Sequence, residues 1–326
     1  VPEFVWWTSW YPIHAQLVTV PAWAVGGMAG VSLSHGVVGM AAALGAAALA
    51  EPLAGRRAAA VAFTAFVSLP LVLWELGHSY VDLYPALFVV TGAVAVVLWQ
   101  RLGPMRILVL AGFLAGLAFA SKTTAAPGAG ALGVAVLLVG RERFSLRSRL
   151  GAGVAVVAGG LIIAPWLWRS YQITGQFPGL DLLLSTVLGT ERETSVDLAA
   201  FGLGRGPLDL AAIPWALTFQ GELFGQNGAG ALGLLLLMAV PLVAFAPRTR
   251  SLAFALVMIG FGALAWAFTA QYLRYSLPLV AVLAALAGVG VSSLASAFER
   301  RGPRFMGTVV MVVAILAIAL APMLSL

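Results

Sequence analysis

Cysteine is absent from all 326 residues, lysine occurs once, and charged side chains make up only 9% of the chain. The first absence excludes disulfides and thiolate metal sites. Soluble domains carry roughly 25% charged residues, so the shortage of charge argues against a fold bathed in water on all sides. Strict alternation of apolar and polar residues is also lacking, which argues against a membrane β-barrel. No glycine-rich phosphate loop of the Walker or Rossmann kind is present. No repeat of fixed period and no inverted repeat is visible.

What the chain does have is continuous hydrophobicity. Apolar residues account for 61% of it, in recurring runs of about 18 or more, the signature of an all-α polytopic membrane protein. Membrane helices are expected at about 31–50, 58–76, 83–100, 106–121, 126–140, 150–168, 229–246, 251–270, 275–295 and 306–325, allowing about 20 residues per span. The fourth and fifth are short enough to tilt little or to cross only in part. Residues 1–326 then form one transmembrane domain of about ten helices, with external juxtamembrane helices and loops. The net charge of +6 does not call for nucleic acid, because excess arginine belongs in the loops of a membrane protein that stay in the cytoplasm.

The arginines set the orientation. EPLAGRR (51–57), QRLGPMR (100–106), GRERFSLRSR (140–149), APRTR (246–250) and FERRGPR (298–304) hold most of the basic residues and fall at every second connection. The positive-inside rule makes that face cytoplasmic. Glu75, His78, Asp82, Lys122, Arg169, Arg274 and an acidic stretch around 181–209 fall on the opposite face. The external loop over about 169–228 is long enough to suggest a function. The chain opens VPEFVWWTSWYP, on the external side and without an initiator methionine, so a membrane helix and the start of its loop are expected upstream. Residues 17–30, broken by Pro21 and the pair Gly26–Gly27, look like a helix lying in the interface. Arginine in place of lysine, with abundant alanine and glycine, suggests a GC-rich bacterial source and a place in the inner membrane.

Ionisable groups near the ends of membrane helices are costly, so each is a candidate functional residue. Glu75, His78 and Asp82 are spaced i, i+3, i+7, one face of a helix. Asp82 precedes a helix it could cap, or it could serve as a general base, metal ligand or sugar contact. With no second histidine near His78 a metal site has little support, though a divalent metal stays open. Lys122, the single lysine, ends an apolar run on the face where basic residues are not favoured. It could snorkel to the surface or present a compact charge to a phosphate oxygen. Arg274 stands at an external helix start, where the helix dipole is already positive, so an anion between it and Lys122 would relieve both. Arg169 sits at a helix C-terminus, where the dipole alone accounts for it. Tryptophans 6, 7, 10, 166, 168 and 215 read as an interfacial belt.

Five segments, in order, carry a resemblance: WYPIHAQL (10–17), SYVDLYPALF (79–88), GLAFASKTTAAPGAGAL (116–132), APWLWRSYQITGQFPG (164–179) and RYSLPLVAVLAALAG (274–288). Together they resemble the GT-C class of membrane glycosyltransferases, which includes protein O-mannosyltransferases and the lipid A aminoarabinose transferase. The resemblance covers nearly the whole chain, although each motif alone is short and degenerate. It implies an enzyme that takes a sugar from a polyprenyl-phosphate carrier and passes it to a lipid, glycan or protein acceptor on the non-cytoplasmic face. Asp82 matches an acidic position of the family's catalytic site. Glu3 is the acid left in the first external loop and takes that loop's catalytic role only weakly. Lys122 matches a basic position near the carrier phosphate and Arg274 another at the external mouth of the cavity, and His78, Tyr80 and Arg169 complete the expected substrate contacts. Two other kinds of protein fit the composition: a transporter or flippase, which would place paired charges in mid-helix, and a membrane subunit without catalysis.

Overall fold

A computed structural model of the chain describes residues 14–78, 80–140, 146–175, 177, 201–225, 232, 239–269, 271–303 and 305–320. Among the described residues all regular structure is helical. The first helix, α1 (His14–Val67), joins the expected interfacial segment to the first span, with a break at Gly27 (φ 57°). It breaks again at Ala54 and Gly55 (φ 84°), inside EPLAGRR, where a turn is expected. Glycine takes this positive φ without the clash a Cβ would bring. The carbonyls freed by the break are satisfied: Arg101 donates to Pro52 O at 2.5 Å and Ser292 Oγ to Ala54 O at 3.1 Å.

The expected second span, 58–76, does not run through. It stops after Val67, and α2 (Pro70–Gly77) begins at a proline, which lacks an N–H and clashes inside a helix. α3 (Leu83–Leu102) and α4 (Met105–Ser121) are separated by Gly103 and Pro104. One 3₁₀ turn, Thr123–Ala125, leads into α5 (Ala126–Val139). α6 (Leu146–Gly160) passes through a second turn into α7 (Ala164–Thr174), which ends on left-handed Gly175. α8 (Pro207–Phe219), α9 (Arg250–Phe268), α10 (Leu277–Arg301) and α11 (Phe305–Leu320) complete the order.

Among the described residues five helical stretches are long and apolar enough to cross a membrane: His14–Val67, Leu83–Leu102, Arg147–Ile173, Arg250–Phe268 and Leu273–Arg301. The expected count of ten is not confirmed among the described residues. The first two expected spans share the broken α1, and α4, α5 and α11 have 17, 14 and 16 residues, fewer than the roughly 20 a span needs. The expected span at 229–246 falls mostly outside the described residues.

α10 is the central helix, buried along almost its whole length from Leu277 to Ser293, as expected for a helix that is apolar on every side. It packs against α1, α3, α11 and the turn Val240–Phe245. Small residues let the backbones approach. A Cβ on Gly112 of α4 would run into the Val156 carbonyl of α6, the close packing that small residues permit between membrane helices.

Candidate functional site

Asp82 occupies the N-cap position of α3, yet its side chain makes no capping hydrogen bond. Its Oδ1 accepts a bond from Lys122 Nζ at 2.6 Å. Lys122 stands between α4 and the following 3₁₀ turn with an extended backbone (φ −161°, ψ 125°). Only 3% of the Asp82 side chain and 19% of the Lys122 side chain is accessible. Lys122 therefore does not snorkel, and the pair is spared the screening that makes surface ion pairs weak. Its Nζ also lies 4.8 Å from the ring centroid of Tyr275.

Arg274 reaches the same region from the turn Leu273–Ser276, which opens into α10. Its guanidinium lies over Tyr80 at 4.6 Å and Tyr272 at 4.8 Å, with Tyr275 at 5.7 Å. Such faces attract a cation through the ring quadrupole. The strip that carries Tyr272 is tied down: Trp266 Nε1 donates to Tyr272 O at 3.1 Å. Buried Gln271 accepts from Leu203 N at 3.0 Å and donates to Gly204 O at 2.5 Å and Ala267 O at 3.0 Å.

Glu75, on α2, is fully buried, and neither carboxyl oxygen has a hydrogen-bond partner among the described residues. The charges that act on it are Asp82, Lys122 and Arg274. Asp82 Oδ2, Thr124 Oγ1 and Arg274 Nε are likewise buried and without a partner among the described residues. Buried polar atoms are nearly always bonded in folded proteins, and leaving one unpaired costs about 1–3 kcal/mol. Their concentration around one ion pair is what a polar ligand would relieve. An apolar groove of about 490 Å³ opens between α8, α9 and α10, lined by Ile213, Leu217, Ile259, Trp266, Ser276 and Leu279 among others; Ser276 shares the turn Leu273–Ser276 with Arg274.

Of the expected site residues, the structure brings Asp82, Lys122, Tyr80 and Arg274 together. His78 is exposed at the rim, its ring stacked on Trp74 at 4.3 Å and its Nδ1 bonded to Trp74 O at 2.7 Å. Trp74 in turn stacks on Tyr80 at 5.1 Å. Arg169 is exposed and held over Trp166 at 5.2 Å, next to His14; among the described residues no ion pair joins it to Lys122 or Asp82. Glu3, Trp6, Trp7, Trp10 and the acids at 181–197 lie outside the described residues. Among the described residues no group of three or more His, Asp or Glu is placed to hold a metal ion. Lys122 occupies one oxygen of Asp82. Sequence reasoning named Tyr80 but missed Tyr272 and Tyr275, although these flank Arg274 in QYLRYSLP and were visible as a signal.

No protein-family model matches the sequence, and no curated protein matches it. Solved structures do. ArnT from Cupriavidus metallidurans, bound to undecaprenyl phosphate, superposes with a TM-score of 0.59 at 16% identity, over 95% of this chain and 66% of ArnT. ArnT in the apo state gives 0.57 at 17% identity, over 94% and 65%. The oligosaccharyltransferase AglB from Archaeoglobus fulgidus, in complex with an inhibitory peptide and a dolichol-phosphate, gives 0.58 at 15% identity, over 97% of this chain and 48% of AglB. The chain thus spans just under two thirds of ArnT and about half of AglB. At such identities the likeness carries the architecture: this is an integral membrane protein that shares the fold of the GT-C glycosyltransferases ArnT and AglB.

Proposed function

We propose that the chain is a GT-C type glycosyltransferase that moves a sugar from a polyprenyl-phosphate carrier to a lipid, glycan or protein acceptor on the non-cytoplasmic face. The observation that carries this reading is the buried Lys122–Asp82 pair beside the tyrosine-flanked Arg274. An acceptor hydroxyl attacks the anomeric carbon, the bond from that carbon to the carrier phosphate breaks, and the electron pair leaves with the phosphate oxygen. Fixed cations in a site shielded from water stabilise that charge where it develops. Lys122 has three N–H donors, one of them used on Asp82, which leaves two for phosphate oxygens. Arg274 adds a planar fork of donors suited to the same group. Asp82 Oδ2, unpaired among the described residues, would accept the hydroxyl proton. The apolar groove beside Ser276 suits an isoprenoid chain. Two neighbours, ArnT with undecaprenyl phosphate and AglB with a dolichol-phosphate, were solved with carriers of this class. The alternation of arginines along the sequence supports the non-cytoplasmic face.

The test is photocrosslinking of the reconstituted protein with a polyprenyl-phosphate analogue whose reactive group sits beside the phosphate. Adducts are expected within residues 80–84, 122–124 and 272–276, and their yield should fall at least tenfold in Lys122→Gln/Arg274→Gln. Adducts confined to the opposite end of the spanning helices, or a yield unchanged by the double substitution, would refute the assignment.

A further inference from the structure

The other end of α10 carries a second polar cavity, which the proposed reaction does not use. It encloses about 510 Å³ and is lined by Arg57, Ser296, Glu299, Arg300, Phe305 and Thr308. Three elements build it: α1 just after its break at Gly55, the last turns of α10, and the first turn of α11. Arg57 Nη1 donates to Glu299 Oε1 at 2.6 Å. Glu299 also lies against Gly307 of α11, where a Cβ would collide with its carboxylate. Glu299 thus holds Arg57 at the wall of the cavity and is itself neutralised there. Arg300 brings a further positive charge, with Arg301 next to it and Arg56 next to Arg57 in sequence. Glu51 lies 3.7 Å from Arg56, so counting Arg56, Arg57, Arg300 and Arg301 against Glu51 and Glu299 the local charge is about +2 by simple bookkeeping. Ser296 and Thr308 add hydroxyl donors, and Phe305, 65% exposed, stands at the mouth.

We infer that this cavity binds the phosphate headgroup of an anionic phospholipid in the leaflet that faces the arginine-rich loops. Basic pockets between spanning helices on that side suit such headgroups, and a Lys or Arg near an anionic surface is worth about 1 kcal/mol. The alkyl chains would run along apolar side chains of α11 that face outward, such as Val309, Val312 and Leu316, which are exposed. From Arg274 to Arg300 the chain climbs 26 residues, nearly all helical, or roughly 39 Å at 1.5 Å per residue. One carrier phosphate cannot occupy both ends. The site is therefore separate from the proposed catalytic centre, and its failure would leave that reading untouched.

The experiment is native mass spectrometry of the full chain released from nanodiscs of phosphatidylcholine with roughly one fifth phosphatidylglycerol, an anionic lipid that gives the surface the negative potential that attracts basic segments. One or two phosphatidylglycerol molecules should be retained in preference to phosphatidylcholine. Arg300→Glu/Thr308→Val, which leaves the Arg57–Glu299 pair in place, should cut that preference at least fivefold while carrier crosslinking near Lys122 persists. A parallel arm adds inorganic phosphate or glycerol 3-phosphate at millimolar concentration. Displacement of the lipid by these soluble anions would show a free-phosphate site and overturn the lipid assignment. Equal retention of both lipids, or a preference unchanged in the variant, would overturn the site itself. If Arg300→Glu lowers the yield of folded protein, Arg300→Gln serves as the second variant, with a smaller loss of the same sign expected.

Discussion

The Lys122–Asp82 pair can be tested by its energetics apart from any catalysis. At 2.6 Å the gross attraction is roughly 6 kcal/mol at an effective dielectric of 20. Desolvation consumes most of that, because the two side chains are only 3% and 19% accessible. Removing one partner leaves an uncompensated charge in a nearly dry place, a loss of about 3–5 kcal/mol, whereas replacing both with apolar groups of similar size is often neutral. Lys122→Met and Asp82→Leu should therefore each lower stability by about 3–5 kcal/mol, and the double variant should fall within about 1 kcal/mol of the native chain. The assay is unfolding of the four proteins in the same lipid or detergent, read by tryptophan fluorescence. The double variant should regain stability and still fail to crosslink the carrier. Losses that add in the double variant, or single variants as stable as the native chain, would show that the pair is not a buried couple, and the reasoning built on it would fall.

Other consequences are open to measurement. Arg274→Lys keeps the charge but loses the planar overlap with Tyr80 and Tyr272; at about 0.5–2 kcal/mol per cation–π contact, carrier affinity by titration should drop roughly tenfold. Tyr80→Phe, which keeps the ring, should stay near native in the same titration, and an equal loss there would point to the hydroxyl instead. Gly112→Ala places a Cβ against the Val156 carbonyl and should cost about 1–3 kcal/mol as overpacking. Gly130→Ala, where a Cβ meets nothing within 4 Å, should unfold no earlier than the native chain.

Much of the architecture was legible because lipid forces the choice. A backbone in hydrocarbon must satisfy its own hydrogen bonds, so long apolar runs without alternation become helices. The lone lysine and the positions of Asp82 and Arg274 also stood out, because charge near the end of a membrane helix is rare enough to count. The number of spans was less legible. EPLAGRR reads as a loop between two helices, and the chain does break there at Ala54 and Gly55, but helical geometry resumes at once instead of after a longer loop. The 58–76 run looked uniform, and Pro70 divided it.

Sequence alone determined that this chain is helical and membrane-embedded, and its arginine spacing set the expectation of basic loops on one face and isolated charges on the other. Tertiary structure decided what those charges do. Asp82 sits at an N-cap position but leaves the helix uncapped for Lys122, forty residues along the chain. Glu75 joins the same group, while His78 stays at the rim and Arg169 is held by Trp166. The reason is range: apolar periodicity and capping are local preferences, whereas the pairing of α3 with the α4–α5 junction and α10 depends on how helices pack across the membrane.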